Sequence, residues 1–262
     1  MSVTITAADI NKLRQTTGAG MLDCRKALTE SNGDFEAAID WLRKQGQKVA
    51  AKRSDREAKE GVVIAQTTAD HKSGIVLCIS CETDFVSKNA DFVAFAQSIA
   101  DAAIANDVKT AEELNGVTVN GAKVEELIND KLAAIGEKIA VSKFERVDAP
   151  YVASYIHGAN RMGVLVSMTK EAAEAGKDVA MQIAAMNPLA VDETSISQET
   201  KDREKAIAIE MIKAEGKPAE MAEKIADGKM NKFFKDNTLM HQAFVKDNSK
   251  SVADYLKSVD AD

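Results

Sequence analysis

Apolar residues at helical spacing, interrupted twice by short glycine-containing segments, dominate the first part of the chain. The interruptions TGAG (17–20) and NGD (32–34) divide residues 1–46 into three segments, each long enough for a short helix. Thr6 and Asp34 stand where the first and third helices should begin, and both residue types accept hydrogen bonds from free backbone N–H groups. The pattern therefore predicts a compact three-helix unit.

Strand and helix patterns follow one another in the middle of the chain. Two runs rich in β-branched residues flank the polar turn ADHKS and predict a hairpin, after which come two helices and a further strand. Blocks in this order are typical of an antiparallel sheet with helices on one face. The predicted bounds are 47–60 for a charged helical linker, 61–81 for the hairpin, about 88–106 and 122–136 for the helices, and 137–147 for the strand.

The last part of the chain repeats the hairpin-then-helix order and adds a pair of charged helices. Two apolar runs flank the turn HGANR and predict a second hairpin. Gly216 and Pro218 separate two helical patterns, as expected where one helix ends and the next begins. The charged faces and narrow apolar seams of these two helices predict a protruding helical hairpin. The predicted bounds are 151–168 for the second hairpin, about 176–186 for the following helix, 198–234 for the helical pair and about 249–259 for the last helix.

Composition is that of an ordinary globular protein. The chain has 262 residues, of which 45% are hydrophobic, and a formal net charge of −7. A general nucleic-acid-binding surface would show a basic excess, so the acidic balance argues against that function. An odd number of scattered cysteines, no secretory signal and no apolar run of transmembrane length lead us to expect a reduced, cytoplasmic protein that does not bind membranes.

Known catalytic and metal-binding motifs do not match the sequence. TGAG (17–20) has neither the preceding strand nor the following Gly-Lys-Ser/Thr of a phosphate loop. Cys78 and Cys81 form a single C-x-x-C without the second pair of a zinc site, and residues three apart on a strand face opposite sides. The three histidines are far apart in the sequence. These observations favour a binding protein without metal or cofactor over an enzyme.

The segment CETDFVSKN (81–89) joins the first hairpin to the long helix and places Phe85 at the corner. Turns usually contain Gly, Asn, Asp or Ser, so a phenylalanine here needs an explanation. Phe85 does not fit a hydrophobic staple, because Val86 would then have to cap the helix, and valine is a poor cap. The residues alone leave two alternatives, a core side chain and a contact to a partner.

Long motifs of this chain resemble those of the bacterial elongation factor Ts family. CETDFVSKN is similar to the family's Thr-Asp-Phe-Val signature, and residues 13–46 are similar to its first signature. Three further blocks appear in the same order, at 155–166, 216–234 and 242–256. The departures from the family pattern are local: Arg25 replaces a usual Lys, Cys78 and Ser80 replace Glu and Asn, and Ala243 replaces Pro.

The resemblance implies a fold and a domain division. The fold class is α+β, with an N-terminal ubiquitin-associated-like domain followed by a core of two antiparallel-sheet-plus-helix subdomains and an inserted helical hairpin. The expected ranges are 1–46 for the three-helix domain, 47–60 for the linker, 61–148 for the N-subdomain of the core, 149–190 with 235–262 for the C-subdomain, and 191–234 for the protruding hairpin.

The resemblance also implies a function, guanine-nucleotide exchange on elongation factor Tu without covalent chemistry, cofactor or direct nucleotide binding. Thr83, Asp84, Phe85 and Val86 match the family's wedge, which enters the GTPase near its magnesium and phosphate site. Further matches to partner-facing positions are Arg14, Met21 and Leu22 in the three-helix domain, and His157 in the second hairpin. A homodimer or a 2:2 complex stays open. The alternative function is an adaptor that binds partners through its three-helix domain without exchange activity.

Overall fold

The computed structural model describes residues 4–53, 55–216 and 218–259, which form two compact units, residues 1–170 and 171–262. Parts of the predicted linker (residue 54) and of the terminal domains (residues 1–3 and 260–262) lie outside the described residues. Within the described part of the chain, no helix is long and apolar enough to cross a membrane.

Three helices open the first unit, as the sequence predicts. They are α1 (Ala7–Thr17), α2 (Met21–Glu30) and α3 (Phe35–Arg53). Thr6 Oγ1 accepts a hydrogen bond from the Asp9 backbone N–H, and the Asp9 carboxylate accepts one from the Thr6 N–H, so α1 begins with a complete capping box. These three helices form a three-helix unit within the first unit, and its small core consists of Leu13, Ala19, Cys24, Ala27, Leu28 and Ala38.

A three-stranded antiparallel sheet forms the centre of the first unit. The strands are β1 (Glu60–Thr67), β2 (Ser73–Cys81) and β5 (Ala140–Asp148), in the order β1-β2-β5. Between β2 and β5 the chain forms α4 (Asp84–Ser87), α5 (Ala90–Ala105), α6 (Ala111–Gly116), the short pair β3 (Thr118–Val119) and β4 (Ala122–Lys123), and α7 (Val124–Ile135). The hairpin, both helices and the third strand are confirmed, whereas α4, α6 and the pair β3–β4 were not predicted.

The two faces of this sheet carry different neighbours because side chains alternate along a strand. Val62 and Ile64 lie in the same core cluster as residues of α5, while Val63 faces the other way. A second hairpin, β6 (Tyr151–His157) and β7 (Met162–Met168), covers that other face. A Cβ at Gly163 would lie 2.8 Å from Val63 Cγ1, so the close approach of hairpin and sheet requires glycine there.

The second unit contains helices and one short strand pair. Its elements are α8 (Ala173–Met186), a 3₁₀ turn (Glu193–Ser195), α9 (Gln198–Ala214), α10 (Ala219–Asn237), β8 (Ala243–Phe244), β9 (Asp247–Ser251) and α11 (Val252–Val259). The buried seam of α9 and α10 consists of Ala208, Ile212, Ala222 and Ala226, which confirms the predicted helical hairpin.

Two sequence predictions about element bounds are wrong. The linker 47–60 is helical only as far as Arg53, because α3 ends there and the described residues 55–59 lie outside helix. The last helix begins at Val252 rather than near 249, because residues 247–251 pair with β8 as a strand. The expected domain division stays a prediction.

Candidate functional site

The corner after β2 is a single helical turn that holds Phe85 away from the protein. Thr83 has an extended backbone (φ −123°, ψ 154°) and precedes α4, and the Asn89 side chain accepts hydrogen bonds from the Asp91 and Phe92 N–H groups in the first turn of α5. The starts of α4 and α5 lie six residues apart along the chain. Phe85 lies between these two starts and is 85% exposed. The alternative of a core side chain is therefore wrong for Phe85.

The neighbours of Phe85 anchor the corner. Val86 is half-buried and packs against the core cluster beneath the sheet. Lys88 Nζ donates to the Asp84 carboxylate at 2.7 Å, and this hydrogen bond, followed by the lysine charge, lowers the pKa of Asp84. Asp84 therefore stays ionised through the physiological range. One apolar anchor and one ion pair thus flank an aromatic side chain that is almost fully exposed.

Two glutamates at the base of the corner bind each other's backbone segments. The Glu137 carboxylate accepts hydrogen bonds from the N–H groups of Glu82 and Thr83, both at 3.0 Å, and from the Thr83 hydroxyl at 2.7 Å. In return the Glu82 carboxylate accepts the Lys138 N–H at 2.7 Å. The Lys138 N–H is the main cause that lowers the pKa of Glu82, and the nearby Arg56 lowers it further.

Sequence reasoning did not find these glutamates. Glu82 directly precedes the Thr-Asp-Phe-Val segment but carries no pattern of its own, and Glu137 lies more than fifty residues further along the chain. A hydrogen bond between positions so far apart leaves no periodic signal. Only the pairing of β2 with β5 brings the segments 82–83 and 137–138 together.

A cleft beside the corner is lined both by the three N-terminal helices and by residues that follow the three-stranded sheet. Its lining includes Phe85 and Val86, Gln15 and Thr16 from the end of α1, and residues of α7. The helices α3 and α7 pack closely, since a Cβ at Gly46 would lie 3.0 Å from the Ala133 Cβ. The three-helix unit is therefore held beside Phe85.

The other predicted contact residues of the three-helix unit are exposed but lie outside this cleft lining. Arg14 is exposed on α1, and Met21 and Leu22 at the start of α2 are 57% and 81% exposed. Met21 and Leu22 are therefore not core side chains of the three-helix unit. Two adjacent exposed apolar side chains on a small helical unit are typical of a contact surface.

His157 ends β6 and is exposed. Its Nδ1 lies 3.0 Å from the Tyr155 hydroxyl, so the ring has a defined orientation. The turn that follows has positive φ at Gly158, Ala159 and Asn160. The structure thus presents His157 at the tip of the second hairpin, on an element separate from the corner of Phe85.

The described residues contain no group of three or more His, Cys, Asp or Glu side chains placed to hold a metal ion. Cys81 is buried in the core cluster and Cys78 lies outside that cluster, which confirms that the two face opposite sides. Burial, followed by the charge of Glu137, raises the pKa of Cys81 to about 11. Cys81 is therefore a neutral thiol at physiological pH and is not an activated nucleophile.

Comparison with known proteins gives one consistent family. The family model described as Elongation factor TS matches residues 82–262. Elongation factor Ts of Christiangramia forsetii is 51% identical over 98% of this chain and 94% of its own, and that of Flavobacterium psychrophilum is 49% identical with the same coverage. Elongation factor Ts of Cytophaga hutchinsonii is 50% identical over 97% of this chain and 93% of its own. Together with the signature at the exposed corner, these matches show that the chain belongs to the elongation factor Ts family.

Proposed function

We propose that this protein is a guanine-nucleotide exchange factor that binds elongation factor Tu·GDP and promotes release of GDP during translation in the cytoplasm. The observation that carries the proposal is the exposed Phe85 on a corner whose flanking residues are anchored. A large aromatic side chain in water gains most of its burial only when a partner covers it, and aromatic anchors are typical hot spots of interfaces.

In the proposed mechanism, the segment Thr83–Val86 acts as a wedge beside the magnesium and phosphate site of the GTPase. Magnesium requires near-octahedral geometry. A small displacement of a neighbouring helix of the GTPase therefore weakens the binding of the metal and of the phosphates that it coordinates. Linkage then requires GDP to weaken binding of the exchange factor by the same factor. The activity consists only of binding and displacement, so the protein catalyses no covalent reaction and needs no cofactor of its own.

Two further contacts support the wedge in this proposal. Arg14, Met21 and Leu22 form a surface of the three-helix unit that faces the GTPase domain, with the two exposed apolar side chains providing burial and the arginine providing charge. His157, at the tip of the second hairpin, contacts another domain of elongation factor Tu. Contacts on separate elements would orient the partner so that Phe85 meets its pocket.

The test is release of a fluorescent GDP analogue from purified elongation factor Tu, with wild-type protein and Phe85→Ala. Hot-spot truncations cost about 2 kcal/mol or more, so we expect stimulated release to fall by roughly thirtyfold or more. Leu189→Ala is the control, because Leu189 is also a large exposed apolar residue (61%) but lies in the other unit. Equal stimulation by wild type and Phe85→Ala would refute the wedge.

The exposure of Met21 and Leu22 also favours the second candidate, an adaptor that binds a partner through its three-helix unit. The two functions differ in one measurement. An adaptor forms a stable complex with elongation factor Tu, or with a ubiquitin-like protein, while the rate of GDP release stays at its spontaneous value. Stimulated release excludes the adaptor as the full account.

A further inference from the structure

The position of Phe85 is set by backbone rather than by contacts of its own side chain. At 85% exposure the ring has few neighbours that would hold it. Strand pairing of β2 ends at Cys81, where Glu60 is its last partner, so the next backbone N–H groups lie beyond the ladder. What holds Glu82 and Thr83 therefore decides where α4 begins and where Phe85 points.

Glu137 holds both of these N–H groups with one carboxylate. Its Oε2 accepts the Glu82 and Thr83 N–H groups at 3.0 Å each, and its Oε1 accepts the Thr83 hydroxyl at 2.7 Å. Hydrogen bonds to an ionised acceptor are about twice as strong as neutral ones. Three such bonds from a half-buried group fix both the backbone and the side-chain rotamer of Thr83.

Residues at and just after the end of α3 also bind the base of the corner. Arg56 and Arg53 lie 3.1 Å and 3.5 Å from the Glu82 carboxylate, and Lys138 Nζ donates to the Arg56 carbonyl at 2.8 Å. Glu82 in turn binds the Lys138 N–H, directly beside Glu137. The end of α3, the start of α4 and the segment before β5 thus form a closed set of hydrogen bonds at the base of the corner.

We propose that Glu137 is a positioning residue for nucleotide exchange, which acts by fixing the segment Glu82–Thr83 and thereby the direction of Phe85. The inference rests on the function proposed above. A wedge displaces a partner helix only if its own backbone resists the displacement, and Glu137 supplies that resistance from the segment between α7 and β5. Misplacing a contact by about 1 Å can cost on the order of a hundredfold in rate.

A competing account is that the anchor of Val86 in the core and the cap by Asn89 hold the corner without help. Glu137→Ala would then lower stability and leave exchange at saturating concentration unchanged. A double-mutant cycle with Phe85→Ala separates the accounts, because a residue that acts through Phe85 loses its effect once the ring is gone.

The experiment compares wild type, Glu137→Ala, Phe85→Ala and the double variant in stimulated GDP release at saturating concentration. We expect Glu137→Ala to slow release by about ten- to a hundredfold in the wild-type background and by less than about twofold in the Phe85→Ala background. Glu145→Ala, at an exposed position on β5, is the control and should match wild type. Full and equal effects of Glu137→Ala in both backgrounds would overturn the proposal.

Hydrogen exchange of the Glu82 and Thr83 amides gives a readout that does not depend on the partner. Both amides should undergo hydrogen exchange at least about tenfold faster in Glu137→Ala than in wild type, because each loses its hydrogen bond to a charged group. Unchanged protection of the two amides against hydrogen exchange would overturn the positioning role, even if nucleotide exchange slowed. If Phe85→Ala has no effect on GDP release while amide protection still depends on Glu137, the wedge mechanism and the positioning role of Glu137 both fail, and only the hydrogen-bonded corner stands.

Glu137→Gln keeps the experiment decisive if Glu137→Ala does not fold. The glutamine oxygen can still accept the two backbone N–H groups, and the Thr83 hydroxyl can rotate to accept from the amide nitrogen. We expect Glu137→Gln to retain most of the exchange activity and amide protection. A Glu137→Gln variant that keeps amide protection but no longer stimulates GDP release would show that Glu137 acts by another route and would overturn the proposal.

Discussion

Phe85 and Phe92 are a matched pair for testing how the fold uses aromatic side chains. Phe85 is 85% exposed, whereas Phe92, seven residues further on, is 2% exposed and belongs to the core cluster. Fully burying a phenylalanine contributes about 1.5–3 kcal/mol, and only about one-seventh of Phe85 is removed from water, so Phe85→Ala should cost about 0.2–0.4 kcal/mol. Phe92→Ala also leaves a cavity and should cost about 3–5 kcal/mol.

Thermal unfolding of the two variants measures this difference. For a unit of this size, 1 kcal/mol corresponds to roughly 2–4 °C in Tm, so we expect a shift below about 2 °C for Phe85→Ala and of about 6–20 °C for Phe92→Ala. The same preparations should be used for GDP release, so that a loss of exchange in Phe85→Ala can be separated from a loss of folded protein. A Tm loss above about 4 °C for Phe85→Ala would refute the reasoning, because it would mean that the ring stabilises its own fold.

Three further predictions concern the metal, the helical hairpin and pH. Raising free magnesium should oppose stimulated GDP release, and release without magnesium dependence would count against disturbance of the metal site. Replacing 198–228 with a short Gly/Ser linker should leave the protease resistance of residues 1–170 unchanged and retain partial exchange, because the buried seam of the hairpin lies between its own helices. Burial, followed by the hydrogen bond to Asp178, raises the pKa of Tyr255 from 10 to about 12, so its contribution to stability is present below pH 10 and is lost towards pH 12. Tyr255→Phe should therefore show a smaller fall in Tm between pH 10 and 12, and equal falls would contradict the assignment.

Local chemistry in the sequence determined most of the elements of this protein. Thr6 caps α1 and Asp34 accepts the Ala37 N–H at the start of α3, as their residue types predict. Gly216, at φ 77°, and Pro218 separate α9 from α10. These features depend on neighbours within about four residues, so periodicity and turn chemistry are enough to find them. The specific signature around Phe85 likewise indicated the family from the sequence alone.

The elements that were missed or misplaced depend on distant partners. The strand β9 (Asp247–Ser251) carries no apolar alternation and exists because it pairs with β8, so the sequence pattern wrongly predicts a helix from about residue 249. Gly163 allows the second hairpin to lie against Val63, a closeness that the pattern of neither segment shows.

The corner itself needed both levels of information. The residue types around Phe85 left a core side chain and a partner contact as alternatives, since either is compatible with a phenylalanine after a strand. Tertiary structure excluded the core side chain, because it leaves Phe85 85% exposed. It also brings Glu137 within 3.0 Å of the Glu82 and Thr83 N–H groups, because β5 pairs with β2. Those hydrogen bonds join residues more than fifty positions apart, and local sequence cannot specify which of many distant carboxylates will reach a given backbone group.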